Sequence, residues 1–304
     1  YTRGHYQEGR RQLLQTLSLP TAGARTAARA KALNAFGALL WTRGDAAEAR
    51  ALLEEALAIG REIGDQWNIS WALLHLGMIA YRQGDQAAAR PLLEAGLTSG
   101  QATGAAGRRS VGWALIFLGD LMLDAGAQEQ ARRNFEESIA TLHELSDGAL
   151  LAYPLRRLGH LALQQGDYER AALLCSESLQ LNLAMEDRLA VAACLVGLAA
   201  VAAAHGQAAT GHDRDRHLQE AALHCGAVAA QLAAIGMPLW PADATVLDRV
   251  SAGVRAALDE ELFSAAWSEG HALTVEQVLE RGVRPPRPNS RPSTPPNPRL
   301  GNSL

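Results

Sequence analysis

The chain has 304 residues, 48% of them hydrophobic and only 5% aromatic, enough apolar material for a sizeable core. A net charge of -4 and a pI near 6.2 exclude a bulk electrostatic pull toward nucleic acid. Cys175, Cys194 and Cys225 are odd in number and widely spaced, so they read as reduced core residues of a cytoplasmic protein; no run reads as a signal peptide or bilayer span.

Ala, Leu, Glu, Gln and Arg dominate, and no stretch alternates apolar and polar residues with period two, so the chain reads as helical throughout. Gly44-Asp45 returns as Gly84-Asp85 and Gly166-Asp167, with a degenerate Gly126-Ala127 between the last two, at spacings of 40, 42 and 40 residues. A second glycine stands seven positions before each turn (Gly37, Gly77, Gly119, Gly159), and an alanine five positions after it (Ala49, Ala89, Ala131, Ala171). Small residues at such positions let two antiparallel helices cross closely, and the turn pairs a left-handed glycine with an aspartate that caps the second helix.

In chain order, residues 4–17 align with 44–57 at an offset of 40, so 1–24 reads as the second helix of a repeat whose first helix lies upstream in a longer polypeptide. The first full repeat places helix A at about 25–43 and helix B at about 46–63; further repeats occupy roughly 66–102, 107–145 and 148–185. A fifth begins at 188, turns at Gly206-Gln207, and is interrupted by a polar, loop-like insertion, ATGHDRDRHLQ, before helix B resumes near 217. Repeats thus fill 25–206, and 207–281 holds the interrupted last repeat and capping helices at 242–258, 259–269 and 274–281, beyond a loop bounded by Pro238 and Pro241. Seven of the twelve prolines fall between Pro285 and Pro298, marking 282–304 as a disordered Pro/Arg tail. A fixed period of this size is the mark of an α-solenoid.

The frame L-x-x-L-G, G-D, A, L/F, A/S resembles the tetratricopeptide repeat in a long version of about forty residues per unit. That resemblance implies an all-α, right-handed α-solenoid of helical hairpins, closed by a C-terminal helical cap. The segment 220–279 further resembles the C-terminal end of bacterial multidomain regulators, through Gly226, Ala229, Ile235-Gly236, Pro238, Pro241, Ala257, Leu258, Phe263, Ala266, Trp267, Gly270 and Leu273. In such regulators a nucleotide-binding ATPase precedes the repeats, often with a LuxR-type or winged-helix DNA-binding domain, a kinase or a cyclase. The resemblance implies that this chain is the sensor or scaffold arm, with any ATPase upstream in the same polypeptide.

Catalysis finds no support in the sequence. A phosphate loop needs a Gly-rich turn ending in Lys-Ser/Thr, whereas the only lysine, Lys31, is followed by Ala inside a predicted helix. There is no G-x-S-x-G elbow, no cofactor motif and no helix-turn-helix, and His143 and His224 lack a third group to complete a constellation. His205, His212, Asp213, Asp215, His217 and His224 gather possible ligands without standard metal spacing, so a metal-dependent activity at 205–225 is a distant alternative.

The candidate site is the concave groove that helix A lines in tetratricopeptide arrays. By register it holds Asn34, Trp41, Trp71, His75, Met78, Trp113, Phe117, Asp120, Tyr153, Arg156, Arg157 and His160. Trp71, Trp113 and Tyr153 recur as an aromatic row and are groove or inter-repeat core; Arg156 and Arg157 are free cations or internal ion-pair partners. A protein or peptide ligand, an acidic one for the arginines, is the expected partner, with a small-molecule effector also open. A self-standing adaptor or assembly scaffold is the alternative to the regulator arm.

Overall fold

A computed structural model describes residues 6–18, 24–41, 44–145 and 148–282, and the expectation for the Pro/Arg tail beyond residue 282 lies outside those residues. Fourteen α-helices, two one-turn 3-10 helices and no strand occur among the described residues. α1 (Tyr6–Leu17) packs on the first of five hairpins: α2 (Ala27–Trp41) with α3 (Ala46–Ile63), α4 (Gln66–Arg82) with α5 (Gln86–Ala102), and α6 (Arg108–Asp124) with α7 (Gln128–His143). α8 (Ala152–Gln164) with α9 (Tyr168–Ala184), and α10 (Arg188–Ala208) with α11 (Gly211–Ile235), complete the array. α12 (Pro241–Ala257), α13 (Glu260–Ala272) and α14 (Val275–Gly282) close it. The chain is an all-α solenoid.

The hairpins form for the local reasons the repeat encodes. Gly84 and Gly166 each take φ +79°, a left-handed turn that a side chain strains, and the following Asp85 and Asp167 accept the amides of Ala88 and Arg170 at 3.0 and 3.1 Å. Asp45 departs from expectation: its side chain makes no capping bond to α3. The crossing glycines act by absence, since a Cβ on Gly37 would stand 2.7 Å from Leu53, and one on Gly77 the same distance from Leu93. A buried hydroxyl ties each of three hairpins near its open end. Ser138 donates to the Gly112 carbonyl and Ser178 to that of Ala152, whereas in the second hairpin Ser70 of the A helix donates to Gly96 of the B helix. Either arrangement satisfies the hydroxyl that burial would otherwise leave unpaired.

The fifth hairpin corrects the sequence reading. Gly206 is inside α10, not at a turn, and a Cβ there would stand 2.7 Å from Leu218 of α11. The turn comes at residues 209–210, and the polar insertion forms the first turns of a 25-residue helix, not a loop. α10 is 21 residues long with a hydropathy of 2.0, long and apolar enough by composition to cross a membrane, which corrects the expectation that no run reaches that length. Here 78% of that window is buried, because α10 is packed on by α8, α9, α11 and α12. α13 lies on α11 so closely that a Cβ on Gly226 would stand 2.0 Å from the Trp267 carbonyl, and one on Gly270 would stand 1.9 Å from that of Leu223.

Candidate functional site

Along the array α4 touches both α2 and α6, each of them also packs on its own partner, and α8 touches α10. The A helices are therefore the crowded inner layer, and their inner faces are the candidate surface. Trp113 of α6 lies 5.9 Å from Tyr153 of α8 and 6.3 Å from Phe117, ring centroid to centroid; Tyr81 of α4 reaches Phe117 at 6.0 Å. This run of rings joins three consecutive hairpins. Trp71 does not extend it. It stacks instead on His75 at 5.5 Å and lies 6.0 Å from Trp67, at the edge of the second hairpin. The expected aromatic row is thus divided, and only its Trp113–Tyr153 part is continuous.

The residue that completes the cluster lies outside the repeats. Trp240, in the short non-helical segment between α11 and α12, places its ring 5.7 Å from Trp41 and 6.0 Å from Phe117. The Arg82 guanidinium lies over both indoles, 4.9 Å from Trp240 and 5.6 Å from Trp41. Sequence reasoning passed over Trp240 and Arg82. Trp240 stands between two prolines read as bounding a loop, and nothing local in PLWP says that the loop turns back onto the first three hairpins.

The two arginines expected to make the groove basic are buried and paired. Arg156 of α8 is hydrogen-bonded to Asp243, in the first turn of α12, and Arg157 to Asp120 of α6. Asp120 also accepts the Tyr153 hydroxyl at 2.9 Å. Arg156 lies over the Tyr153 ring at 4.8 Å, and His160 Nδ1 stands 3.9 Å from Asp243. Burial opposes the charge on both arginines, but the adjoining carboxylates outweigh it and hold the guanidinium pKa values above normal. Burial likewise pushes Asp243 up, but its neighbours together, Arg156 foremost, hold it below the usual carboxylate range. His160 is held neutral by burial, its pKa lowered to about 3. The free basic stretch is therefore replaced by a neutralised network. Asn34, Trp41, Met78, Phe117, Asp120, Arg156, Arg157 and His160 are all buried; Trp71, His75, Trp113 and Tyr153 are part-exposed. Asn34 is an internal tie, donating to the Asn68 backbone and side-chain oxygens at 3.1 Å.

What stays open is a cleft of about 300 Å³ between the inner faces of α4, α6 and α8 and the start of α12. Tyr81, Arg82, Asp120, Tyr153, Arg157 and Trp240 form much of its wall. It offers flat rings, one guanidinium over indoles, and hydrogen-bonding edges. Around the former insertion, His205 lies 5.4 Å from His217 and 5.5 Å from Tyr168, ring to ring, and His217 stands 3.7 Å from Glu220. No group of three or more His, Cys, Asp or Glu suited to a metal occurs among the described residues. Cys175, Cys194 and Cys225 are free and buried, and burial raises the Cys175 and Cys225 thiols to about 12.

Residues 28–102, spanning α2 to α5, match the tetratricopeptide repeat family. No curated protein matches the chain. Among solved structures, the chain is similar to BtubC (BKLC) from P. vanneervenii, at 18% identity over 75% of this chain and 91% of that one, with a TM-score of 0.54. It is also similar to a Signal Transduction ATPase with Numerous Domains from Pyrococcus horikoshii that carries a tetratricopeptide repeat sensor. There the identity is 15% and the TM-score 0.55, over 92% of this chain, which spans only 41% of that protein's length. At these identities the likeness is one of fold.

Proposed function

We propose that this chain is a non-catalytic interaction and effector-sensing arm, cytoplasmic, and the C-terminal part of a signalling ATPase or transcriptional regulator. The observation that carries this reading is the inner face of α4, α6 and α8. Part-exposed Tyr153 and Trp240 line a cleft walled by Arg82 and an internally neutralised polar network, and Trp113 packs behind Tyr153. Aromatic and arginine side chains are the groups that anchor partners best, because they combine large contact area with few rotatable bonds. The fold shared with a signal transduction ATPase that carries a tetratricopeptide repeat sensor supports the wider placement.

A partner held there would act on the rest of a larger protein by binding one arrangement of the array better than another, which shifts their balance. The test is a binding comparison between the wild-type chain and a Tyr153→Phe/Arg82→Glu variant of matched helicity. Loss of one partner or metabolite at least tenfold in affinity from the variant supports the reading. Undiminished binding of every ligand found would remove the cleft as the site. A Gly-rich loop ending in Lys-Ser/Thr in the reading frame upstream of Tyr1 would support the regulator arm, and a frame without one would favour the self-standing adaptor.

A further inference from the structure

The segment joining α11 to α12 behaves as a ligand of the groove that happens to be covalently attached. Its grip on the repeats is made by side chains. Trp240, part-exposed, packs on Trp41, Phe117 and Arg82, its neighbour Leu239 is buried in the apolar cluster of α9 and α10, and Asp243 is paired to Arg156, 87 residues earlier in the chain. Among the described residues, no backbone hydrogen bond ties 237–243 to a repeat helix. The segment leaves α11 through Gly236, at φ +64°, and is irregular until α12 starts at Pro241. Beyond that start α12 is anchored elsewhere, with Val250, Val254 and Leu258 in the apolar cluster shared with α10, α11 and α13. Trp240 and Asp243 are three positions apart at a helix start, so they project from one face and reach the groove together.

Resting on the interaction-module reading, we propose that this groove takes a partner peptide carrying an aromatic residue followed three positions later by a carboxylate, and that Trp240 and Asp243 are the resident pair it displaces. The partner would bring a ring to Trp41, Phe117 and Arg82, and a carboxylate to Arg156. Exchange of one occupant for the other conserves both contacts, so no charge is left buried and unpaired at its end. The tethered segment has the advantage of an effective concentration in the millimolar range, on the order of that for short linkers. A partner therefore binds only when its other contacts or its local abundance overcome that advantage, which makes the segment a threshold on binding.

The test uses the whole chain and a fluorescent peptide with the sequence of residues 237–246. Wild-type protein binds it weakly. The Trp240→Ala/Asp243→Asn variant binds on the order of 10²-fold more tightly, because the tethered competitor has been removed. A peptide with the same two replacements binds neither protein. A folded double variant with no gain in affinity would overturn the proposal. Should that variant not fold, hydrogen exchange of the wild-type chain at millimolar peptide decides. At least tenfold faster exchange of the amides at 242–247 supports displacement, and unchanged protection overturns it. Peptide-independent dimers that exchange this segment between copies would identify a second chain as the occupant and also overturn it. If these outcomes fail while the Tyr153→Phe/Arg82→Glu variant still loses a partner, the interaction-module reading stands without the resident segment. Failure of both sets of measurements removes the groove altogether.

Discussion

Arg157 and Asp120 show how much one buried pair can hold. Both side chains are almost entirely out of water, and Tyr153 fills another of Asp120's acceptor positions. Removing one partner strands the other charge, so Arg157→Gln is expected to lower unfolding stability by about 3–5 kcal/mol in urea titrations. Replacing both partners by apolar residues of similar size would cost far less; an equal cost for the single and double changes would show that the charges themselves contribute little. Acid acts on different residues. His224 is buried with neither ring nitrogen hydrogen-bonded, and burial lowers its pKa from 6.5 to about 4. The unfolded chain takes a proton that the native one refuses, so stability is intact above pH 6.5 and falls as the pH drops toward 4. At pH 5 the loss from this one side chain is about 2 kcal/mol, and His224→Leu should flatten that part of the stability-against-pH curve. Asp243 pulls the same way at lower pH: its folded pKa is depressed, so its contribution disappears as the pH falls through that value.

At the scale of the elements, the array depends on side chains that are missing. Gly226 and Gly270 let α11 and α13 meet backbone to backbone, and the atoms a new Cβ would strike are carbonyls of the facing helix, which cannot swing aside. Gly226→Ala should therefore lift α13 and α14 from the array while leaving the hairpins up to α9 folded. Limited proteolysis would cut first after residue 258 in the variant, and an unchanged digestion pattern would show that the helices can slide to accommodate a methyl group. Much of this level was legible from residue spacing. The limits of α3 follow from a turn glycine on each side of an apolar stripe, and the crossing glycines follow from their place seven residues before each turn. The fifth hairpin was misread because the polar stretch HDRDRH looks like a loop, while its helical state is set by the long α10 against which α11 packs. Gly197 and Gly206 both sit at plausible crossing positions, and only the packing tells them apart: Gly206 faces Leu218 of its own hairpin, Gly197 faces Cys175 of the one before.

For the whole molecule, the decisive feature is that the segment after the last hairpin touches the first hairpin. A solenoid built only of neighbour contacts unfolds as a sum of local equilibria. Trp240 against Trp41 adds a contact between the cap and the first hairpin, so the repeats between them are spanned by one tie. Trp240→Ala should broaden the urea transition and lower its slope, as the first hairpins come apart from the rest. A variant that lost stability with an unchanged slope would show that the tie adds energy but not cooperativity.

By itself the sequence determined the helical hairpins, their period of about 40 residues and the close crossings, because each depends on residues near one another in the chain and on the helical repeat of 3.6. Only the tertiary structure decided the state of the groove. Arg156 and Asp243 are 87 positions apart, and no periodicity within a hairpin can say that a carboxylate from the cap will arrive at that guanidinium. The charge of a binding surface is a sum over everything folded against it, and here the fold brings in Trp240 and Asp243 to fill what the repeats alone would have left aromatic, basic and open.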